Sequence, residues 1–156
     1  MQKYTSENTS LNQVARCFKL IEIKKGMKIL DYGCGKYDKA KEFVNSLQAE
    51  YFGYDPFNRS EEENLIALSS NPDIIICANV LNVIMEEDVI EEIVKELYLF
   101  NCDVVIQIYE GDKSKIGKET TKGYQRNESA IEYYKVIVKY FDEFTKKGNI
   151  YFCKNS

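Results

Sequence analysis

The chain has 156 residues, 44% hydrophobic and 29% charged, with a net charge of -4 and a pI of about 5.1. That is enough for one globular domain over residues 1–156 and leaves no room for a second; the acidic balance excludes a general nucleic-acid-binding face. No apolar run approaches the ~20 residues that cross a bilayer, and MQKYTSENTS has no targeting pattern, so a cytoplasmic protein without membrane contact is expected.

In chain order, Ser10 and Gln13 form a capping box, and Leu11, Val14, Ala15, Phe18 and Ile21 recur at helical spacing, which predicts an amphipathic helix over 11–22. An apolar run at 28–32 leads into Gly33 and Gly35, and KAKEFVNSL (39–47) has helical spacing, so this unit reads as strand, turn, helix. YFGYD (51–55) is a strand stopped by Pro56, and EEENLIAL (61–68) a helix. DIIICANV (73–80) is continuously apolar, as in a central strand buried on both faces. Glu86 and Glu87 open the next helix, and CDVVIQIY (102–109) is the next buried strand. EGDKSKIGKETTKGYQRN (110–127) has no core periodicity and reads as a long binding loop or lid, with Asn127 capping a helix that carries Ile131, Tyr134, Ile137, Val138 and Phe141. FDEFTKKGNIYFCK closes the chain as a hairpin. Strands alternating with helices predict an α/β, Rossmann-like fold with a mostly parallel sheet and a C-terminal antiparallel hairpin. Ligands of such sheets sit over the carboxyl ends of the strands, here the turns after Tyr32, Tyr54, Ala78 and Tyr109.

The absence of histidine removes imidazole bases, histidine metal sites and Ser-His or Cys-His nucleophiles. The five cysteines form no C-x-x-C pair and read as reduced thiols; no metal site is expected. Gly33 and Gly35 permit positive φ and a close backbone approach. A dinucleotide fingerprint would need a third glycine at 38, where Asp38 would repel a pyrophosphate, so NAD and FAD are not expected. Two glycines alone suit a structural turn as well as a ligand site. Asp55, about 20 residues downstream, is placed to bond ribose hydroxyls; the alternative is an Asx turn before Pro56. GDKSKIGKE is not a phosphate loop, since its glycine spacing is one residue too long and Glu119 follows Lys118.

KILDYGCGKYD, YFGYDPF and DIIICANVLNVI resemble, respectively, the first motif, the ribose-binding motif and the fourth-strand segment of class I S-adenosylmethionine-dependent methyltransferases. The resemblance spans about 9–153 and is close to small methyltransferase-like proteins of phages and bacteria with similar NTSLNQV, YDPFNRS, NVLNVI and YEGDKS-IGK stretches. It implies S-adenosylmethionine as cofactor, with Asp31, Gly33 and Gly35 at its methionine part, Asp55 on the ribose, Pro56 and Phe57 toward the adenine and Asn79 facing it. Tyr37 stands where that family has its third glycine, and too few residues separate Asp55 from Asp73 for the family's third strand, so about six strands replace seven. The implied activity is in-line methyl transfer to an unknown acceptor. Tyr109, Glu110 and Asp112 are candidates for a base by position, and Lys113, Tyr124 and Arg126 for substrate contact. A nucleic acid or protein could dock on the 110–127 loop, whose charge run also suits a solvated surface. The small size and missing strand keep open a non-catalytic binding protein of the same fold.

Overall fold

A computed structural model describes residues 2–5 and 10–155. It contains strands β1 (Lys28–Tyr32), β2 (Glu50–Tyr54), β3 (Ile74–Ala78), β4 (Asp103–Gln107), β5 (Lys118–Thr120), β6 (Gly123–Gln125), β7 (Glu143–Lys147) and β8 (Ile150–Lys154), and helices α1 (Lys39–Ser46), α2 (Glu61–Leu68), α3 (Glu87–Leu99) and α4 (Tyr134–Tyr140). Six strands form one sheet in the order β2-β1-β3-β4-β8-β7. Strands β1 to β4 are mutually parallel, while β8 runs antiparallel to β4 and β7. This is the expected Rossmann-like α/β architecture, with the short 55–73 connection leaving β2 at the edge.

Side chains alternate across a strand, and the apolar runs therefore feed two cores. Leu30, Ile75, Val104 and Ile106 face α3 and α4 with Leu97, Ile137 and Phe141. Ile29, Ile76, Val105 and Ile150 face α1 and the N-terminal segment with Val44, Cys17 and Phe18. The same period puts Asp31 and Gln107 on this second face, at the carboxyl ends of their strands. Helix α2 starts where Ser60 Oγ accepts from the Glu63 amide at 3.1 Å, with Glu61 to Glu63 in its first turn.

Three local expectations are corrected. The predicted 11–22 helix is only a 3-10 turn, Arg16–Lys19; the Ser10 hydroxyl accepts from the Lys36 amide, and the Cys17 amide donates to Gln107 Oε1 at 2.9 Å. Tertiary hydrogen bonds and the burial of Cys17 and Phe18 outweigh the local helical pattern. The Thr9 and Asn8 of NTSLNQV lie outside the described residues. Asn127 caps no helix: Ser129 precedes a 3-10 turn, Ala130–Tyr133, while Asn127 has φ +57° and donates from Nδ2 to the Ile116 carbonyl. The 110–127 stretch is not a structureless loop but contains the β5-β6 hairpin. With strands of three residues, alternation was too short to stand out from the charge pattern.

Arg126 pins this hairpin to the body. Its Nη1 donates to the Ile84 and Met85 carbonyls at 3.0 and 2.8 Å, its Nε to Glu128 at 2.5 Å, and its amide to the Asn82 carbonyl at 2.9 Å. Arg126→Met should cost about 2–4 kcal/mol in urea denaturation, because Glu128 and two carbonyls lose a largely buried partner. A change below about 0.5 kcal/mol would contradict this anchoring.

Candidate functional site

The turns that follow β1, β2 and β3 converge on a cleft of about 940 Å³. Asp31, Gly33, Gly35, Tyr37, Asp55, Pro56, Phe57, Asn79, Tyr109 and Tyr124 all line it. Glu110, Asp112, Lys113 and Arg126 do not. Glu110 accepts from the Ala130 amide at 2.8 Å and faces Lys113 at 3.8 Å, and Asp112 accepts from the Ser114 amide. Lys115 pairs with Glu132 at 2.7 Å, so much of the basic run at 110–127 is matched by acids.

The turn after β1 is built from satisfied amides. Gly33 and Cys34 both donate to the Tyr54 carbonyl (2.7 and 3.1 Å), Gly35 to Asp55 Oδ2 (2.9 Å) and Lys36 to Ser10 Oγ (3.3 Å). A phosphate nest needs such amides pointing at the ligand; here all four are engaged within the protein. Gly33 (φ +85°) and Gly35 (φ +72°) lie in the left-handed region, and a Cβ on Gly33 would sit 2.4 Å from Val80 Cγ2. Glycine is thus required for both conformation and space.

Asp55 is buried at the end of β2, and its carboxylate holds several donors at once. Oδ1 accepts from the Phe57 amide at 2.9 Å, which is the Asx turn, and Oδ2 from Gly35 and from Asn58 Nδ2 at 3.0 Å. A ribose contact by this side chain would have to share oxygens already held. Asp31 is buried under the turn, where Tyr51 donates to its Oδ2 at 2.6 Å. Loss of hydration pushes its carboxyl up to about 6, against the Tyr51 hydrogen bond and the Arg59 charge that favour ionisation. The Cys34 thiol is pushed up to about 12, by burial first and by Asp31 next, so it is no nucleophile at neutral pH.

Several cleft residues escaped the sequence reading. Gln107 takes the Cys17 amide on Oε1 and donates from Nε2 to Asn79 Oδ1 at 3.2 Å, coupling the N-terminal segment to the end of β3. Asn82, also buried, accepts from the Tyr109 amide at 3.2 Å. Their signal was a polar residue in an otherwise apolar run: Gln107 within VVIQI, Asn82 within NVLNVI. Ser10, Leu11, Val14 and Phe18 of the N-terminal segment and Lys122, Tyr124 and Gln125 of the hairpin also line the cleft. Tyr4 stacks on Tyr124 with ring centres 5.4 Å apart and bonds Glu119 through its hydroxyl, joining the chain start to the hairpin. Among the described residues no helix is long and apolar enough to cross a membrane.

Neither a family model nor a curated protein sequence matches the chain. A solved structure does: Burkholderia thailandensis 1,6-didemethyltoxoflavin-N1-methyltransferase, with bound 1,6-didemethyltoxoflavin and S-adenosylhomocysteine. The TM-score is 0.61 at 12% identity, covering 85% of this chain and 72% of that one. The likeness is one of fold, and it agrees with the Rossmann-like α/β architecture described above.

Proposed function

We propose that this chain is an S-adenosylmethionine-dependent methyltransferase whose cofactor lies in the cleft over β1, β2 and β3. The observation that carries the reading is the turn at 33–36, which brings backbone close to the cleft yet has its amides engaged, beside the aromatic walls Tyr37, Tyr54 and Phe57. That chemistry suits a nucleoside without phosphates, and the fold relative carries S-adenosylhomocysteine. When bound, S-adenosylmethionine supplies a sulfonium methyl open to in-line displacement.

The work of the chain is alignment and exclusion of water. The glycine turn and Asn79 border the cofactor, and Phe57, 40% exposed, offers a face for the adenine. Around Tyr109 and the hairpin's Tyr124 the cleft wall mixes apolar Val83, Ile84 and Val89 with polar Asn82, Lys122 and Gln125, which suits a small acceptor with both apolar and hydrogen-bonding parts. Of the base candidates Tyr109, Glu110 and Asp112, the chain has only Tyr109 on the cleft wall. Its five free thiols fit a reducing, cytosolic setting.

Calorimetry with S-adenosylmethionine and S-adenosylhomocysteine tests the reading. Saturable binding of one ligand per chain is expected, with Phe57→Ala weakening it about tenfold, as for loss of one stacked base. Absence of heat with both ligands at high protein concentration would overturn it.

A further inference from the structure

We infer that the segment 55–59 is a clamp on the glycine turn, and that Arg59, which lies outside the cleft, is a positioning residue for the cofactor. The inference rests on the cofactor reading above only for its functional consequence; the clamp itself is a feature of the free protein.

Gly35 is held at both ends by one short loop. Its amide donates to Asp55 Oδ2 at 2.9 Å and its carbonyl accepts from Arg59 Nε at 2.9 Å. Arg59 then reaches along the turn, donating from Nη2 to the Tyr37 carbonyl at 2.9 Å and from Nη1 to Asp38 Oδ1 at 3.1 Å. The guanidinium is the right group because its planar fork serves a carbonyl, a second carbonyl and a carboxylate at once, which an ammonium cannot do with the same geometry. The contact also explains why Asp38, at the N-cap of α1, makes no side-chain cap: its carboxylate faces Arg59. Asn64 fixes the loop in turn, accepting from the Asp55 amide at 2.9 Å and donating to the Asp55 carbonyl at 3.1 Å.

Two stretches distant in sequence are thus one device: KYD at 36–38 is shaped by DPFNR at 55–59. A Tyr at 37 lacks glycine's freedom, and the carbonyl bonds from Arg59 hold that part of the turn in one conformation. Asp55 contributes to cofactor binding through Gly35 as part of the same clamp.

Amide hydrogen exchange and calorimetry on Arg59→Ala and Arg59→Lys test this. In the free protein, the Gly35 amide should exchange at least tenfold faster in Arg59→Ala, with the β3 amides of Ile75 and Ile76 unchanged. Affinity for S-adenosylhomocysteine should fall about tenfold, be only partly restored in Arg59→Lys, and recover in Arg59→Ala on adding millimolar guanidinium. Asp55→Ala and Arg59→Ala should combine less than additively, since both act on Gly35. An unchanged Gly35 rate would overturn the clamp, as would exchange accelerated throughout the sheet. If the parent protein binds no S-adenosylhomocysteine, the cofactor reading fails by itself and the Gly35 rate alone decides the clamp.

Discussion

Asp31→Asn should abolish a loss of stability that the parent protein suffers between about pH 4 and pH 7. The Asp31 carboxyl goes from an ordinary value of 3.8 up to about 6 on folding, so the native state binds the extra proton in that interval. Stability is therefore greatest below the unfolded value and falls as pH rises through the folded one. A shift of about two units corresponds to about 3 kcal/mol. In urea denaturation at pH 8 the Asn variant should be more stable than the parent by up to that amount, and the two should converge near pH 4. The half-buried acids Glu91 and Glu132, lowered by hydrogen bonds to Lys139 and Lys115, push the other way in both proteins and cancel in the comparison. Parallel pH profiles for the two proteins would refute the assignment. A buried acid held out of its usual range beside a cleft is also the profile of a functional group, so the variant's gain in stability should come with weaker cofactor binding.

The second large effect is expected at Gly33. Ala there meets two separate penalties: a left-handed φ of +85°, and a methyl 2.4 Å from Val80 Cγ2. Together they should cost about 2–5 kcal/mol and remove cofactor binding. The two are separable, because adding Val80→Ala opens the space but leaves the backbone strain. Measured against Val80→Ala alone, which itself loses packing on the core, the double variant should therefore recover roughly half of the stability that Gly33→Ala costs the parent, read from denaturation midpoints at constant slope. Full recovery would mean that strain at Gly33 is negligible, and no recovery that the Val80 contact yields freely.

Much of the sheet was legible because its signals are local. The runs around Ile29, Ile75 and Val105 are too apolar for anything but buried strands, and the spacing of Val89, Ile93 and Val94 suits only a helix packed on them. That no strand falls between β2 and β3 was likewise a matter of length between Asp55 and Asp73. The N-terminal segment misled for the opposite reason. Leu11, Val14 and Phe18 have helical spacing, but a hydrogen bond from the Cys17 amide to Gln107, ninety residues away, holds an irregular path instead. No local pattern carries that information. The hairpin at 118–125 was hidden similarly, since its hold on the body comes from Arg126 and the Tyr4 stack.

For the candidate site, the sequence by itself determined that the ends of the parallel strands meet. Strand ends carrying Asp31, Asp55 and Asn79 must converge once the sheet is parallel, because parallel strands all end along the same edge. What each side chain does there was decided by the tertiary structure alone. Asp55 could be a ribose ligand or an Asx turn from its position, and only packing shows its oxygens shared among Phe57, Asn58 and Gly35. Arg59 had no signal in the sequence beyond its charge, yet it closes on the turn from across the sheet edge. A hydrogen bond depends on distance and direction to within a few tenths of an ångström, and those are set by how the elements pack.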